Sequence, residues 1–545
     1  MIVRRCIRIL SLCIMVAVLS GCTTAPAQDS GGPLLPEQAA YDVYHYDLAV
    51  TVDPARQRID GRVTVFAVVE TQLDKLVLNL DRRLSVGEAW TMGHPSTPHP
   101  VERRNDRNEV WIDLGEVREP GDTLRVSVSY EGTPRVAPNA PWDGGFSWST
   151  TPNGDPWIAT SCQTEGADLW WPVKDHPSDE PDSMDISFTV PDSLTAVSNG
   201  ILRGIDQTSD STRTFRWHVS TPINAYNVAL NAAPYASLDT TYASTSGDTV
   251  PVTAYVLPSD SARAVRALPD FLRQVRFLEK TLGPYPPRAD KYGIAQTPFL
   301  GMEHQSIIAY GHDFTTGGIG YDAPFDALHF HELAHEWYGN LLTVDDWKDF
   351  WLHEGPATYL EALYAEHLEG DSAYHALTDY YRAQLEGGTP IARREPTTAE
   401  DIYHRDVYYR GALTLHTLRY VIGEATLRRI LRQFATPSGD GPVFRHVTTR
   451  EFRQLAETVS GRPLNAFFSV YLYQSGLPVL ETSRRGGTLQ LRWTQTGGVP
   501  FDVPVPVRVN GTTHRVALDD GTGSISVPKG EEVQVDPEGW VLKAQ

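Results

Sequence analysis

Three histidines and two glutamates fall within the first eight positions of HFHELAHEWYGN, residues 329–340. If this segment is helical, His331 and His335 lie one turn apart on the same face, so both imidazoles can bind one ion. His329 then points away from that face. Neutral imidazoles suit Zn²⁺, and a catalytic zinc ion takes three protein ligands and a water. The pattern therefore predicts one zinc ion per chain, with Glu332 beside its water, and requires a third ligand.

The third ligand is predicted at Glu354, 19 positions after His335, in the segment HEGPATYLEALYAEHL. That segment is typical of a second helix, and the residues between, 341–352, can return the chain so that Glu354 faces both histidines. Asn340 and Glu361 are candidates for hydrogen bonds that support the ligands. A polar helix face rich in His and Glu is the alternative interpretation. A glutamate at this distance favours a site of two histidines and one glutamate.

Four segments of the chain, taken in order, resemble the motifs of one protein family. They are SCQTEGADLWWP at 161–172, GMEHQ at 301–305, HELAHEWYGN at 331–340 followed by WLHEG, and YYRGA at 408–412. The set resembles the aminopeptidase N and leukotriene hydrolase family of zinc metallopeptidases. In that family HExxH is followed, after eighteen residues, by a ligand glutamate, and the spacing here is the same. The resemblance covers most of residues 38–545.

For the hydrolytic chemistry, the resemblance implies Glu332 as general base and Tyr408 as catalytic tyrosine, beside the zinc ion. Zn²⁺ lowers the pKa of a bound water and polarises a carbonyl group. Glu332 would take the proton of that water and pass it to the leaving amine. Tyr408 would donate a hydrogen bond to the oxyanion. Tyr409 is the alternative residue for this role.

For the substrate, the resemblance implies that GMEHQ binds a peptide N-terminus. Glu303 would pair with the free α-ammonium group, assisted by Gln163, and Gly301 and Met302 belong to the same exopeptidase motif. The family usually has Asn at the positions of His304 and His353. The preferred N-terminal residue is therefore not predicted.

The length of 545 residues predicts several domains. Over 38–245, short segments such as YDVYHYDLAVTVD alternate with the two-residue period of strands, which is typical of a β-sandwich. Residues 246–478 are mostly helical in pattern, and the resemblance implies a thermolysin-like zinc peptidase domain. Strand patterns return over 479–545, which predicts a small C-terminal β-sandwich-like domain. The predicted fold class is multidomain α+β.

Two local signals predict helix limits in the catalytic region. SDSARAVRALPDFLRQVRFLEKTLG is amphipathic at helical spacing, and Pro269 is expected to kink this helix or to mark its start. Thr448 and Glu451 form the pattern of a capping box ahead of FRQLAETV, which predicts a helix beginning there.

The first 22 residues, MIVRRCIRILSLCIMVAVLSGC, combine a basic start, an apolar run and the ending LSGC. This is typical of an export signal, and LSGC resembles the lipobox of bacterial lipoproteins. We expect a signal peptide over 1–21, lipidation at Cys22 and a tether over 22–37. An ordinary signal peptide or an uncleaved anchor is the alternative. The lipid would hold an exported protein in the bacterial cell envelope, at the outer membrane or the periplasmic face.

The sequence as a whole predicts a zinc-dependent aminopeptidase that acts on peptides with a free N-terminus. The formal net charge of −21 at pH 7 argues against nucleic acid as a partner, and the oligomeric state is not predicted. Two alternatives stay open. A zinc endopeptidase would have no use for the amine anchor at Glu303. A catalytically inactive peptide-binding lipoprotein would have no use for Glu332 and Tyr408.

Overall fold

A computed structural model describes residues 30–91, 98–318, 320–437 and 441–544. The predicted signal peptide and Cys22 lie outside the described residues. Within them, no helix is both long enough and apolar enough to cross a membrane.

The N-terminal region is built from β-strands, as the two-residue periodicity predicts. In β1 a bulge between Val43 and His45 shifts the register and moves the buried positions from odd to even residues. The described residues of this region form the strands β1 (Tyr41–Asp53), β2 (Arg58–Val69), β3 (Leu73–Asn79), β4 (Leu84–Thr91), β5 (Val101–Arg104), β6 (Glu109–Arg118), β7 (Thr123–Gly132), β8 (Gly145–Thr150), β9 (Pro156–Ser161), β10 (Ser183–Pro191), β11 (Thr195–Val197), β12 (Ile201–Ser209), β13 (Thr212–Val219) and β14 (Asn231–Ala233).

These strands form three sheets around a shared apolar core. The largest has the order β12-β13-β10-β1-β2-β7-β4, the second β11-β14-β9-β8 and the third β3-β6-β5. Trp170 and Trp171 are fully buried in this core, where they pack edge to face on Phe146 and Tyr46. The segment after β9 leaves the core and carries Gln163 toward the catalytic region.

A five-stranded sheet opens the catalytic region. Its strands are β15 (Ala236–Ala243), β16 (Thr249–Val256), β17 (Tyr292–Gln296), β18 (Gly301–Met302) and β19 (Ile308–Tyr310), in the order β15-β16-β17-β19-β18. The predicted N-terminal domain, residues 38–245, includes β15. In the structure β15 pairs with β16, so it belongs to the sheet of the catalytic region. Helix α1 (Ser261–Leu282) begins eight residues before Pro269, so the proline lies inside it and does not mark its start. The carbonyl that the proline leaves without its helical hydrogen bond belongs to Val265, a residue that is 55% exposed.

The rest of the catalytic region is mostly helical, as predicted. The predicted capping box of Thr448 and Glu451 is present at the start of α8. The described elements are α2 (Ala327–Ala334), β20 (Leu342–Val344), α3 (Trp351–Glu369), α4 (Asp371–Ala383), α5 (Ala399–Ile402), α6 (Asp406–Ile422), α7 (Glu424–Ala435), β21 (Arg445–Val447), α8 (Thr449–Ser460) and α9 (Asn465–Tyr473). Short 3-10 turns cover Ala167–Leu169, Ala225–Asn227, Pro258–Asp260 and Trp347–Asp349.

The C-terminal region is the predicted small β-domain. It consists of β22 (Val479–Arg485), β23 (Thr488–Thr494), β24 (Val505–Val509), β25 (Thr512–Val516), β26 (Thr522–Ser526) and β27 (Val533–Val535). These strands form two sheets, β22-β23-β26 and β25-β24-β27. The domain docks on the catalytic helices, because the Tyr471 hydroxyl of α9 donates a hydrogen bond of 2.9 Å to the carbonyl of Leu542. The multidomain α+β fold class is confirmed.

Candidate active site

Helix α2 positions the histidine pair. Asp326 caps its N-terminus by accepting a hydrogen bond of 3.1 Å from the backbone N–H of His329. The helix ends at Ala334, but His335 keeps helical backbone angles, so the same-face spacing extends to it. The Nε2 atoms of His331 and His335 lie 3.1 Å apart. His329 points elsewhere, stacked on Phe271 with ring centres 3.7 Å apart.

Helix α3 brings Glu354 to the same point. Its Oε2 atom lies 3.3 Å from Nε2 of His331 and 3.4 Å from Nε2 of His335. A tetrahedral Zn²⁺ with bonds of about 2.0–2.1 Å holds its donors about 3.3 Å apart. The three donor atoms therefore have the separation that a zinc ion requires.

Hydrogen bonds on the far side of each imidazole orient the donors. Nδ1 of His331 lies 2.8 Å from Oε1 of Glu361, and Nδ1 of His335 lies 2.9 Å from the carbonyl of Tyr338. Both partners accept, so each Nδ1 carries a proton and each Nε2 is the atom that faces Glu354 and would bind a metal ion. The residues present therefore fit a zinc ion. Asn340, the other predicted partner of the metal ligands, contacts Glu303 instead. Its side-chain amide donates a hydrogen bond of 3.0 Å to the backbone carbonyl of Glu303.

Glu332 lies next to the donor set and is only 6% exposed. The Glu332 carboxylate fits there because residue 301 is a glycine. A Cβ atom on Gly301 would lie 2.5 Å from Oε1 of Glu332. Burial, with the neighbouring carboxylates Glu303 and Glu354, raises the pKa of Glu332 to about 8. A cation bound at the donor set opposes this rise, since opposite charge favours the ionised form.

Glu303 follows β18 and is 3% exposed. Gln163 of the N-terminal region donates a hydrogen bond to Oε1 of Glu303, and the hydroxyl of Tyr226 lies 3.3 Å from the same oxygen. Donor atoms of Glu303, Glu332 and His335 lie within 4.8 Å of one another. Burial raises the pKa of Glu303 to about 7. This carboxylate is therefore placed beside the metal donors with little water around it.

Tyr408 lies in the first turn of α6 and stacks on His331, with ring centres 6.0 Å apart. Its hydroxyl lies 2.8 Å from the hydroxyl of Tyr403. Tyr409, the alternative residue for the catalytic role, packs instead on Tyr381 at 5.7 Å. Of the two neighbours, Tyr408 is the one in contact with a metal donor.

Comparison with known families agrees with this geometry. Residues 43–227 match the family description "Peptidase M1 N-terminal domain", and residues 275–471 match "Peptidase family M1 domain". The two matches together cover more than half of the chain. The chain belongs to peptidase family M1.

Several M1 relatives are similar to this chain. Glutamyl aminopeptidase of Rattus norvegicus is 24% identical over 478 residues, which cover 82% of this chain and 49% of that protein. Aminopeptidase M1-A of Oryza sativa subsp. japonica is 25% identical, over 83% of this chain and 52% of that protein. The chain thus spans about half the length of these curated relatives. A solved M1 zinc metallopeptidase of Deinococcus radiodurans, bound to Tyr-Ser-Ala, has a TM-score of 0.67 and 26% identity, over 83% of this chain and 98% of that one.

A cavity of about 470 Å³ opens over the M1 site. Met302 lies at its edge and is 3% exposed. Tyr226 and Tyr403 were not predicted from the sequence, because neither belongs to a motif. Tyr226 reaches the site from the N-terminal region, whereas Tyr403 lies five residues before Tyr408. Among the described residues, the aromatic side chains that line the cavity are Trp142, Tyr321, Tyr380, Tyr381, Tyr403, Tyr408 and Tyr409.

Proposed function

We propose that this protein is a zinc-dependent aminopeptidase that removes N-terminal residues from peptides. One observation carries the proposal: a buried carboxylate, Glu303, lies within a few ångströms of a three-donor metal site in the same cavity. The names of the M1 relatives, which include glutamyl aminopeptidase, support it.

Glu303 explains why the substrate would be a chain end. Gln163 and Tyr226 surround its carboxylate and hold it in a buried position. A desolvated carboxylate pairs well with an α-ammonium group, whereas the nitrogen of an internal peptide bond carries no charge to pair with it. An endopeptidase has no need of an anchor for a free amine, so this buried carboxylate favours the aminopeptidase.

The neighbouring side chains would divide the chemistry between them. When bound, Zn²⁺ lowers the pKa of a water molecule and polarises the scissile carbonyl. The Glu332 carboxylate would accept a proton from that water and deliver it to the leaving amine. The Tyr408 hydroxyl would donate a hydrogen bond to the developing oxyanion. Tyr403 would hold that hydroxyl in place through the contact of 2.8 Å.

The test compares fluorogenic peptides with a free and an N-acetylated terminus on protein lacking residues 1–22. We expect cleavage of the free-amine forms only, and loss of cleavage with a zinc chelator and in Glu332→Ala. Cleavage of the acetylated forms would favour an endopeptidase. Binding of zinc and peptide without any cleavage would favour an inactive peptide-binding protein.

We also propose that the enzyme is an exported lipoprotein of the bacterial cell envelope, anchored through a lipid on Cys22. The basic start, the apolar run and the LSGC ending support this. Metabolic labelling with a tagged fatty acid, followed by membrane fractionation, tests it. Labelling should disappear in Cys22→Ser, whereas labelling that persists there would overturn the anchor.

A further inference from the structure

Four tyrosines form one wall of the cavity, and no part of the proposed chemistry uses them. Tyr321 precedes α2, Tyr380 and Tyr381 lie on α4, and Tyr409 lies on α6. The rings of Tyr321 and Tyr380 are 4.6 Å apart, and those of Tyr381 and Tyr409 are 5.7 Å apart. We call this set the tyrosine wall.

The tyrosine wall presents ring surface to the cavity. The hydroxyls of Tyr321 and Tyr381 lie 2.7 and 3.1 Å from Oε2 of Glu361, so both donate to a buried carboxylate. Oε1 of Glu361 is in turn engaged by His331. Tyr381 is only 1% exposed, so the half-buried rings of Tyr321, Tyr380 and Tyr409 are the aromatic surface that a ligand in the cavity can meet. Aromatic faces of this kind stack favourably with a second aromatic ring.

Glu303 and the tyrosine wall line the same cavity but neighbour different metal donors. Glu303 groups with Glu332 and His335, whereas the tyrosine wall is joined through Glu361 to His331. A peptide with its amine at Glu303 and its scissile carbonyl at the metal donors must continue away from Glu303. The residue after the scissile bond therefore reaches the tyrosine wall.

We propose that the tyrosine wall is the subsite for the second residue of the peptide and selects substrates with an aromatic side chain there. This proposal rests on the aminopeptidase function. Tyr380 and Tyr409 are the residues to test, since Tyr321 and Tyr381 also hold Glu361. Tyr380 and Tyr409 are each half-buried at the cavity, with ring centres 6.2 Å apart.

The experiment measures kcat/KM for the dipeptides Ala-Phe, Ala-Ala and Phe-Ala. We expect Ala-Phe to exceed Ala-Ala about tenfold, the size of one aromatic contact. Tyr380→Ala should reduce that ratio to about twofold and leave Ala-Ala nearly unchanged, whereas Tyr380→Phe should keep the ratio. Tyr409→Ala repeats the test if Tyr380→Ala does not fold. Equal rates for Ala-Phe and Ala-Ala in the parent, or an equal loss for both in the variants, would overturn the proposal. A preference for Phe-Ala alone would also overturn it.

Binding separates this proposal from the aminopeptidase function. Calorimetry with Glu332→Ala measures the affinity for intact Ala-Phe and Ala-Ala without turnover. If the parent cleaves neither dipeptide but Glu332→Ala binds Ala-Phe about tenfold more tightly, the tyrosine subsite stands and the aminopeptidase function fails. Equal affinity for the two dipeptides overturns the subsite, whatever the activity.

Discussion

Gly355 and Gly411 lie in direct contact where α3 packs on α6. A Cβ atom on Gly411 would lie 2.7 Å from Cα of Gly355 and 3.4 Å from its backbone nitrogen. These neighbours are backbone atoms of a helix, so no side-chain rotation can relieve the contact. Gly355 directly follows Glu354, and Gly411 comes three residues after Tyr408. The substitution Gly411→Ala should therefore move the proposed catalytic tyrosine away from the metal donors.

The size of the effect follows from the distances. Carbon atoms need about 3.5–4.0 Å between them, so the two helices must separate by about 1 Å at this point. Overpacking of this kind lowers the free energy of unfolding by about 1–3 kcal/mol. A displacement of about 1 Å at a reacting group lowers the rate about 100-fold. Complete loss of a hydrogen-bond donor to the oxyanion lowers kcat about 100- to 1000-fold. We expect kcat to fall about 100-fold for Gly411→Ala, with KM nearly unchanged.

The assay measures kcat, KM, zinc content and unfolding on the same preparations. Gly388→Ala is the control, since Gly388 is exposed and no atom lies within 4 Å of a Cβ added there. In a Tyr408→Phe background, Gly411→Ala should lower kcat by less than about tenfold, because the Tyr408 hydroxyl that it displaces is already absent. A loss of about 100-fold in both backgrounds would refute the reasoning. So would parental kcat in Gly411→Ala alone.

Three further outcomes are expected. Glu361→Gln should weaken zinc binding about 10- to 100-fold in competition with a zinc dye, because the carboxylate that orients one imidazole is lost. Glu369→Gln, a change at the exposed end of the same helix, should leave zinc affinity unchanged. Equal zinc affinities in the two variants would contradict this expectation. Tyr408→Phe should lower kcat about 100- to 1000-fold. Tyr403→Phe removes one supporting hydrogen bond and should lower kcat about fivefold. A larger loss of kcat in Tyr403→Phe than in Tyr408→Phe would exchange the roles of the two residues. Glu303→Gln should lower kcat/KM for free-amine peptides about 10- to 100-fold, since a charge-assisted hydrogen bond is worth about 1.5–3 kcal/mol, and an unchanged value would exclude the amine anchor.

The metal donors could be predicted because their geometry is local. Two histidines four residues apart meet on any helix, and the structure places their Nε2 atoms 3.1 Å apart. Glu354 needed one further assumption, that the chain returns after the first helix. The strands of the N-terminal region could be predicted for the same reason, since the alternation of buried and exposed residues depends only on neighbouring positions. The bulge in β1 could not be predicted, because a bulge is a property of two paired strands.

Most of the residues that could not be predicted come from segments distant in the chain. Tyr226 lies 77 residues before Glu303 and contacts it only once the N-terminal and catalytic regions have packed together. Tyr403 lies five residues before Tyr408, but it belongs to no motif. The tyrosine wall has the same origin, since α4, α6 and the segment before α2 each contribute to it. Pro269 was misjudged as a possible helix start for a related reason. Whether a freed carbonyl is tolerated depends on its access to water, which the tertiary structure decides.

The two halves of the proposed activity have different structural sources. The metal donors, the proposed base and the proposed catalytic tyrosine all lie between α2 and α6 of the catalytic region. The proposed amine anchor depends on the N-terminal region as well, because Gln163 and Tyr226 hydrogen-bond to Glu303 from that region. In the proposed function, hydrolysis therefore depends on residues of the helical region, while restriction to chain ends depends on the contact between the two regions. A change that loosened this contact would affect the choice between chain ends and internal bonds before it affected the metal site.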